Sequence, residues 1–198
     1  MPWRLLPVAL LVAAGEARAH AFSPDAGHFY NGLMHAFIDP AQVLLLLGLG
    51  LLAAQRDLRT ARVVVIGVPL LALFSSALPV PASWLGLAES LVLISAMLVA
   101  AAVVLARTIS TQWLPVLALL AALGPGLVNG AELAREDWLI PRLYLSGAAL
   151  GIFFLLMACF VPLAQARLAL GEAADIPSRV LASWLLAGAT LLLALRVA

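Results

Sequence analysis

The sequence predicts an all-α polytopic membrane protein, a single bundle of about six transmembrane helices behind a cleavable signal peptide. Three observations carry this expectation. Hydrophobic residues make up 65% of the 198-residue chain and charged residues only 11%, against about 25% charged in a soluble domain, so water is the wrong solvent for its surface. The apolar runs are long and continuous, unlike the alternating pattern of a β-barrel. Most of the charges fall between these runs.

Residues 1–19 read as a secretory signal. Arg4 is the positive start, Leu5 to Ala14 is an apolar core too short to span, and Ala17-Arg18-Ala19 is a cleavage site of the A-x-A type. Cleavage there leaves His20 as the new N-terminus, and residues 20–198 form one domain. About 20 apolar residues are needed per crossing, so the mature chain has room for six.

The first segment runs from Phe29 to Ala54 and ends at Arg56-Asp57-Leu58-Arg59. Pro40 lacks a backbone donor and predicts a kink beside Asp39. The second runs from Val63 to Leu78 and stops in Pro79-Val80-Pro81. The third begins near Trp84 and ends at Arg107. The fourth, Trp113 to Leu133, contains Gly124-Pro125-Gly126. The fifth runs from Leu143 to Ala166. The polar stretch from Arg167 to Ser178 is the longest connection, with Pro177 expected to precede a sixth helix from Arg179 to Val197.

Orientation follows from the arginines, since the chain has no lysine. With the N-terminus exported, the inner loops hold Arg56, Arg59, Arg62, Arg107, Arg167 and Arg179, and the outer side holds Arg135, Arg142 and Arg196. Positive charge favours the cytoplasmic side, which predicts a bacterial inner-membrane protein with both mature termini in the periplasm. Trp84, Trp113, Trp138 and Trp184 are placed near helix ends, as interfacial tryptophans are. Cys159, alone in an apolar run, reads as a small packing residue. A net charge of +1 points to no nucleic acid, and the partner implied is the lipid bilayer.

Polar residues inside apolar segments are the functional candidates: His35, Asp39, Gln42, Glu89, Asn129 and Glu132. The predicted directions place all six in the outer half of the bundle. His28, His35, Asp39 and Gln42 recur at steps that share one helix face. Imidazole with carboxylate suits a divalent transition metal such as nickel, copper or zinc. A blander reading accompanies each. Asp39 caps the helix that starts at Pro40, Asn129 and Glu132 bind neighbouring helices, and His28 is interfacial. Glu89 is the hardest to read so, because a carboxylate between LGLA and SLVLIS must be paired, protonated or hydrated. No nucleophile elbow, H-E-x-x-H, P-loop or cysteine pair occurs, so no enzyme is predicted.

The run GLMHAFIDPAQVLLLLGLGLLAA resembles the first-helix signature of the HupE/UreJ family, small membrane proteins of hydrogenase and urease gene clusters regarded as nickel permeases or nickel-delivery accessories. Gly32 and His35 match that signature, and His20-Ala21-Phe22 resembles the family's mature start. Glu89 in AESLVLISAML corresponds to its third-helix glutamate, and Asn129-Gly130-Ala131-Glu132 to its fourth-helix motif. SGAALGIFFLL and SRVLASWLLAGATLLLAL resemble its last two helices. The chain departs from the pattern where the family has an Asp-His pair, here Ala41-Gln42, where it has a glycine, here Asp39, and where it has a fourth-helix histidine, here Asn129. Two imidazoles and one carboxylate of the expected metal path are absent. The resemblance implies a divalent metal as cargo, no resident cofactor, and a metalloenzyme-maturation or membrane complex as partner. The ligands expected are His20, His28, His35, Asp39, Glu89 and Glu132, with Asp25 at an outer capture site. The alternative is a non-transporting membrane scaffold or assembly partner.

Overall fold

The computed structural model describes residues 27–78, 80–105, 113–136 and 141–197. The signal segment, His20 and Asp25 lie outside them, as does Trp138. Seven α-helices follow in order: α1 (Gly27–Ile38), α2 (Pro40–Ala54), α3 (Leu58–Ser76), α4 (Leu85–Val104), α5 (Trp113–Glu136), α6 (Pro141–Leu170) and α7 (Asp175–Val197). Short 3-10 turns stand at Ala82–Trp84 and Gly171–Ala174. There is no strand among the described residues.

The first expected segment is a bent pair, with α1 and α2 meeting at 73°. Asp39 is extended (φ −71°, ψ 110°), and its carboxylate accepts from the Ala41 amide at 2.9 Å. Pro40, first in α2, has no donor to lose there. The ladder resumes at once on either side, Asp39 N donating to His35 O and Val43 N to Asp39 O. The expectation of one continuous face through Asp39 is therefore corrected to an elbow, because Pro40 admits only a new start.

Four stretches are long and apolar enough to cross a membrane, or five with the bent pair. The last of these, Arg142–Arg196, covers 55 residues. At ~1.5 Å per residue it is far longer than the ~30 Å hydrocarbon core, and it breaks at Gly171, whose φ is +60°. The break divides it into α6 and α7, of 30 and 23 residues, each long enough to cross by itself.

Two boundaries differ from expectation. The long polar connection reduces to the single turn at Gly171–Ala174, and α7 begins at Asp175, four residues before Arg179. Pro177 thus sits inside the first turn of α7, where the amide it lacks would have had no helical acceptor. The same shift moves Trp184 to the tenth residue of α7, away from the helix end where it was expected, with 76% of its surface exposed.

Helix α2 occupies the centre, packed by α3, α4, α6 and α7. Leu45, Leu46, Leu49, Leu51 and Leu52 are buried, as expected of a helix that is apolar nearly all round and packed at the centre of a bundle. Exposed apolar side chains such as Ile66, Leu70 and Phe74 on α3 and Leu87, Leu91 and Leu98 on α4 form the outer surface, a belt suited to acyl chains.

Because lipid offers no hydrophobic drive between helices, close approach depends on small residues. Gly126 and Gly130 of α5, at G-x-x-x-G spacing, lie against Ala72, Ser75 and Ser76 of α3. Gly147 and Gly151 repeat the spacing on α6, against the carbonyls of Phe29 and Leu33 on α1. Cys159 packs beside Gly50, as a small core residue would.

Candidate functional site

The elbow builds a polar cluster inside an apolar bundle. His35 lies one turn before the end of α1, and Gln42 is the third residue of α2. Folding α2 away at Asp39 turns Gln42 back toward His35, and its Nε2 comes within 2.9 Å of the imidazole Nε2. The same amide nitrogen donates to Asn129 Oδ1 of α5 at 3.3 Å. One turn further along α5, Glu132 Oε2 lies 3.3 Å from His35 Nε2 and accepts from the Tyr144 hydroxyl of α6 at 3.4 Å. The Tyr144 ring stands 6.1 Å from the His35 ring.

Burial makes these contacts consequential. Gln42 is 0% exposed, Asn129 1% and His35 6%. An unpaired polar group there costs about 1–3 kcal/mol. His35 Nε2 faces two partners that ask for opposite things. As a lone pair it accepts from the Gln42 amide; as an N–H it donates to Glu132. Gln42 Oε1 is buried with no hydrogen-bond partner, and half a turn of that amide would offer it to an Nε2–H. The cluster thus has the groups to serve either tautomer. An imidazole lone pair beside a carboxylate and two amide oxygens is also a donor set for a borderline divalent cation.

The other sequence candidates fall around this centre. Asp39 and Glu89 stand at the same end of the bundle as Glu132, at the start of α2, near the start of α4 and near the end of α5. Neither makes a cluster hydrogen bond. Asp39 is engaged as the α2 cap, the blander reading. Glu89 pairs with Arg196 of α7, Oε2 to Nη1 at 2.7 Å, and the same nitrogen reaches the Gly86 carbonyl at 3.4 Å. His35 and Glu132 meet, while a helix cap holds Asp39 and an ion pair holds Glu89. His28 is half-buried in the first turn of α1. Among the described residues no three His, Cys, Asp or Glu side chains are grouped closely enough to hold one metal ion.

Tyr144 and Arg196 escaped the sequence reading. Tyr144 is one of two tyrosines and precedes the Gly147–Gly151 stripe, a signal that was available. Arg196 was read only as a terminal charge.

The family model described as HupE / UreJ protein matches residues 8–197. The chain belongs to the HupE/UreJ family. That is a bacterial membrane transporter and accessory family, associated with nickel or cobalt transport or with urease and hydrogenase accessory roles. No curated protein and no solved structure matches the chain. Within this HupE/UreJ protein His35, Glu89, Asn129 and Glu132 all lie toward one end of the bundle, and three of them belong to the buried cluster.

The opposite end is basic. Arg167 of α6 donates to the Ala54 carbonyl at 3.2 Å and pairs with Asp175 at 3.2 Å, locking the ends of α2, α6 and α7 together. Burial, and then the nearby Arg167 charge, hold the Arg56 guanidinium below its usual range.

Proposed function

We propose that this protein handles a divalent transition-metal ion, of the nickel type, as cargo at the His35–Glu132 cluster, either conducting it or delivering it to a metalloenzyme-maturation complex. The observation that carries the reading is the 3.3 Å approach of an imidazole nitrogen and a carboxylate oxygen between helices of a largely apolar bundle. Gln42 and Asn129 supply amide oxygens beside them. Asp39, one turn from His35, adds negative potential that favours a cation. On this reading the cluster end faces the periplasm of an inner membrane, His20 and His28 serve capture, and the arginine-rich end faces the cytoplasm.

Titration of the purified protein with nickel, copper and zinc tests it. Binding tighter than about 1 mM, roughly −4 kcal/mol, is expected, and it should weaken in both His35→Ala and Glu132→Gln. No binding of any of the three ions ends the proposal.

A second reading has its own observation. The Glu89–Arg196 pair and the Asn129–Gln42 bond spend polar groups on joining helices, which supports a scaffold for a membrane partner. Normal partner-complex abundance with the His35→Ala variant, together with absent metal binding by the wild type, would favour it.

A further inference from the structure

On the outer face of the bundle, away from the polar cluster, α3 and α6 enclose a cavity of about 220 Å³. Leu58 and Ile66 of α3 and Phe153, Met157 and Phe160 of α6 line it, and Ala61 leaves it open between the two helices. Leu58 and Ile66 are themselves more than half exposed, so the cavity opens toward the side where acyl chains would lie. Its one charged lining residue is Arg62, which is exposed. An arginine stem can follow an apolar wall while its head reaches the polar layer.

Two arginines stand beside this groove. Arg59 and Arg62 stand three residues apart, on one side of the first turns of α3. The nearest carboxylate in sequence, Asp57, is engaged elsewhere: Oδ2 accepts from the Arg59 and Thr60 amides at 3.1 Å, and Oδ1 from the Thr60 hydroxyl at 2.7 Å. No ion pair is formed by Arg59 or Arg62 among the described residues. The wider end of the bundle continues the bias, with Arg56, Arg167 and Arg179 beside Asp175 and Glu172.

We propose that the α3–α6 groove is a specific site for one anionic glycerophospholipid, its acyl chain lying between Ile66 and Phe153, Met157 and Phe160, and its phosphate held by Arg62 with Arg59. The apolar wall selects a chain, and the two guanidiniums select the headgroup. A phosphate accepts charge-assisted hydrogen bonds from Arg, and juxtamembrane arginines attract anionic lipid. A free anion has no use for the groove, and a zwitterionic lipid gains less from the arginines.

The test uses the full chain in nanodiscs of equal parts phosphatidylglycerol and phosphatidylcholine, released into detergent for native mass spectrometry. One phosphatidylglycerol should remain bound per chain in preference to phosphatidylcholine. Arg62→Gln should reduce that preference about fivefold, and Arg62→Lys should restore much of it. Ile66→Trp, at an exposed position, should fill the groove and reduce retention of both lipids with the helical circular dichroism unchanged. Equal retention of the two lipids by the wild type overturns the proposal. So does retention of phosphatidylglycerol by Ile66→Trp at the wild-type level, or its displacement by millimolar inorganic phosphate, since either means an anion site without a chain.

Discussion

Gln42 donates to Asn129 across the α2–α5 interface, Nε2 to Oδ1 at 3.3 Å, between residues 87 apart in the chain. The resemblance to the HupE/UreJ pattern sets histidines at these two positions, where this chain has amides. The substitutions therefore meet in space. The amide pair joins the two helices without a metal, and Gln42 Oε1 is left buried without a partner.

Restoring the imidazoles tests the proposed cargo. Gln42→His with Asn129→His, beside the native His35, should tighten nickel or zinc binding by more than about tenfold, 1.4 kcal/mol. The double variant should exceed the two singles combined, because the added ligands share one ion. Isothermal titration measures it, and unchanged affinity in the double variant would place the ion elsewhere.

Gln42→Leu should be more damaging than its size suggests. It leaves the Asn129 oxygen and the His35 nitrogen without their buried donor, at about 1–3 kcal/mol. Adding Asn129→Leu should recover part of the loss by removing one orphan. Thermal unfolding in detergent, followed through a double-mutant cycle, gives the coupling directly.

Glu89 and Arg196 lock the start of α4 to the end of α7, and both are part-exposed. Either Glu89→Gln or Arg196→Gln should cost less than about 1 kcal/mol and leave membrane abundance near normal. If the pair is only a latch, metal binding should be unchanged in both variants. Loss of binding with Glu89→Gln alone would return that carboxylate to the ligand set.

Glycine position decides packing tolerance. A Cβ on Gly126 would run into Ser75 and the Ala72 carbonyl, whereas one on Gly86 meets nothing within 4 Å. Gly126→Ala should therefore destabilise by about 1–3 kcal/mol, with Gly86→Ala neutral or slightly stabilising through helix propensity. Equal melting temperatures would show that α3 and α5 can separate without loss.

Asp57 sets an acid limit outside the membrane-spanning segments. The Thr60 hydroxyl, with backbone amides, holds its carboxyl below the usual aspartate range. A depressed folded-state value contributes stability above the unfolded value and loses it as pH falls through the folded one. Melting curves recorded from pH 7 downward should show the wild type losing its advantage over Asp57→Ala below about pH 4. A constant gap at every pH would mean that the charge of Asp57 is not what caps α3.

Composition and run length were enough, by themselves, to determine the solvent, the all-α class and the approximate number of crossings, because a bilayer permits few other structures. Pro40 announced the break in the first span and Asp39 its cap. Local sequence also put the intramembrane polar residues toward one end, since helix direction alternates with each crossing. It did not determine which of them touch. Glu89 is drawn to Arg196, 107 residues away, and Tyr144 to Glu132, through the packing of α4 on α7 and the approach of α1, α5 and α6. Those contacts depend on helix rotation and on where glycines let backbones close, and neither is written in any single segment. The misplaced start of α7 has the same origin: Asp175 pairs with Arg167, and that tertiary contact lets the helix begin before the proline that looked like its boundary.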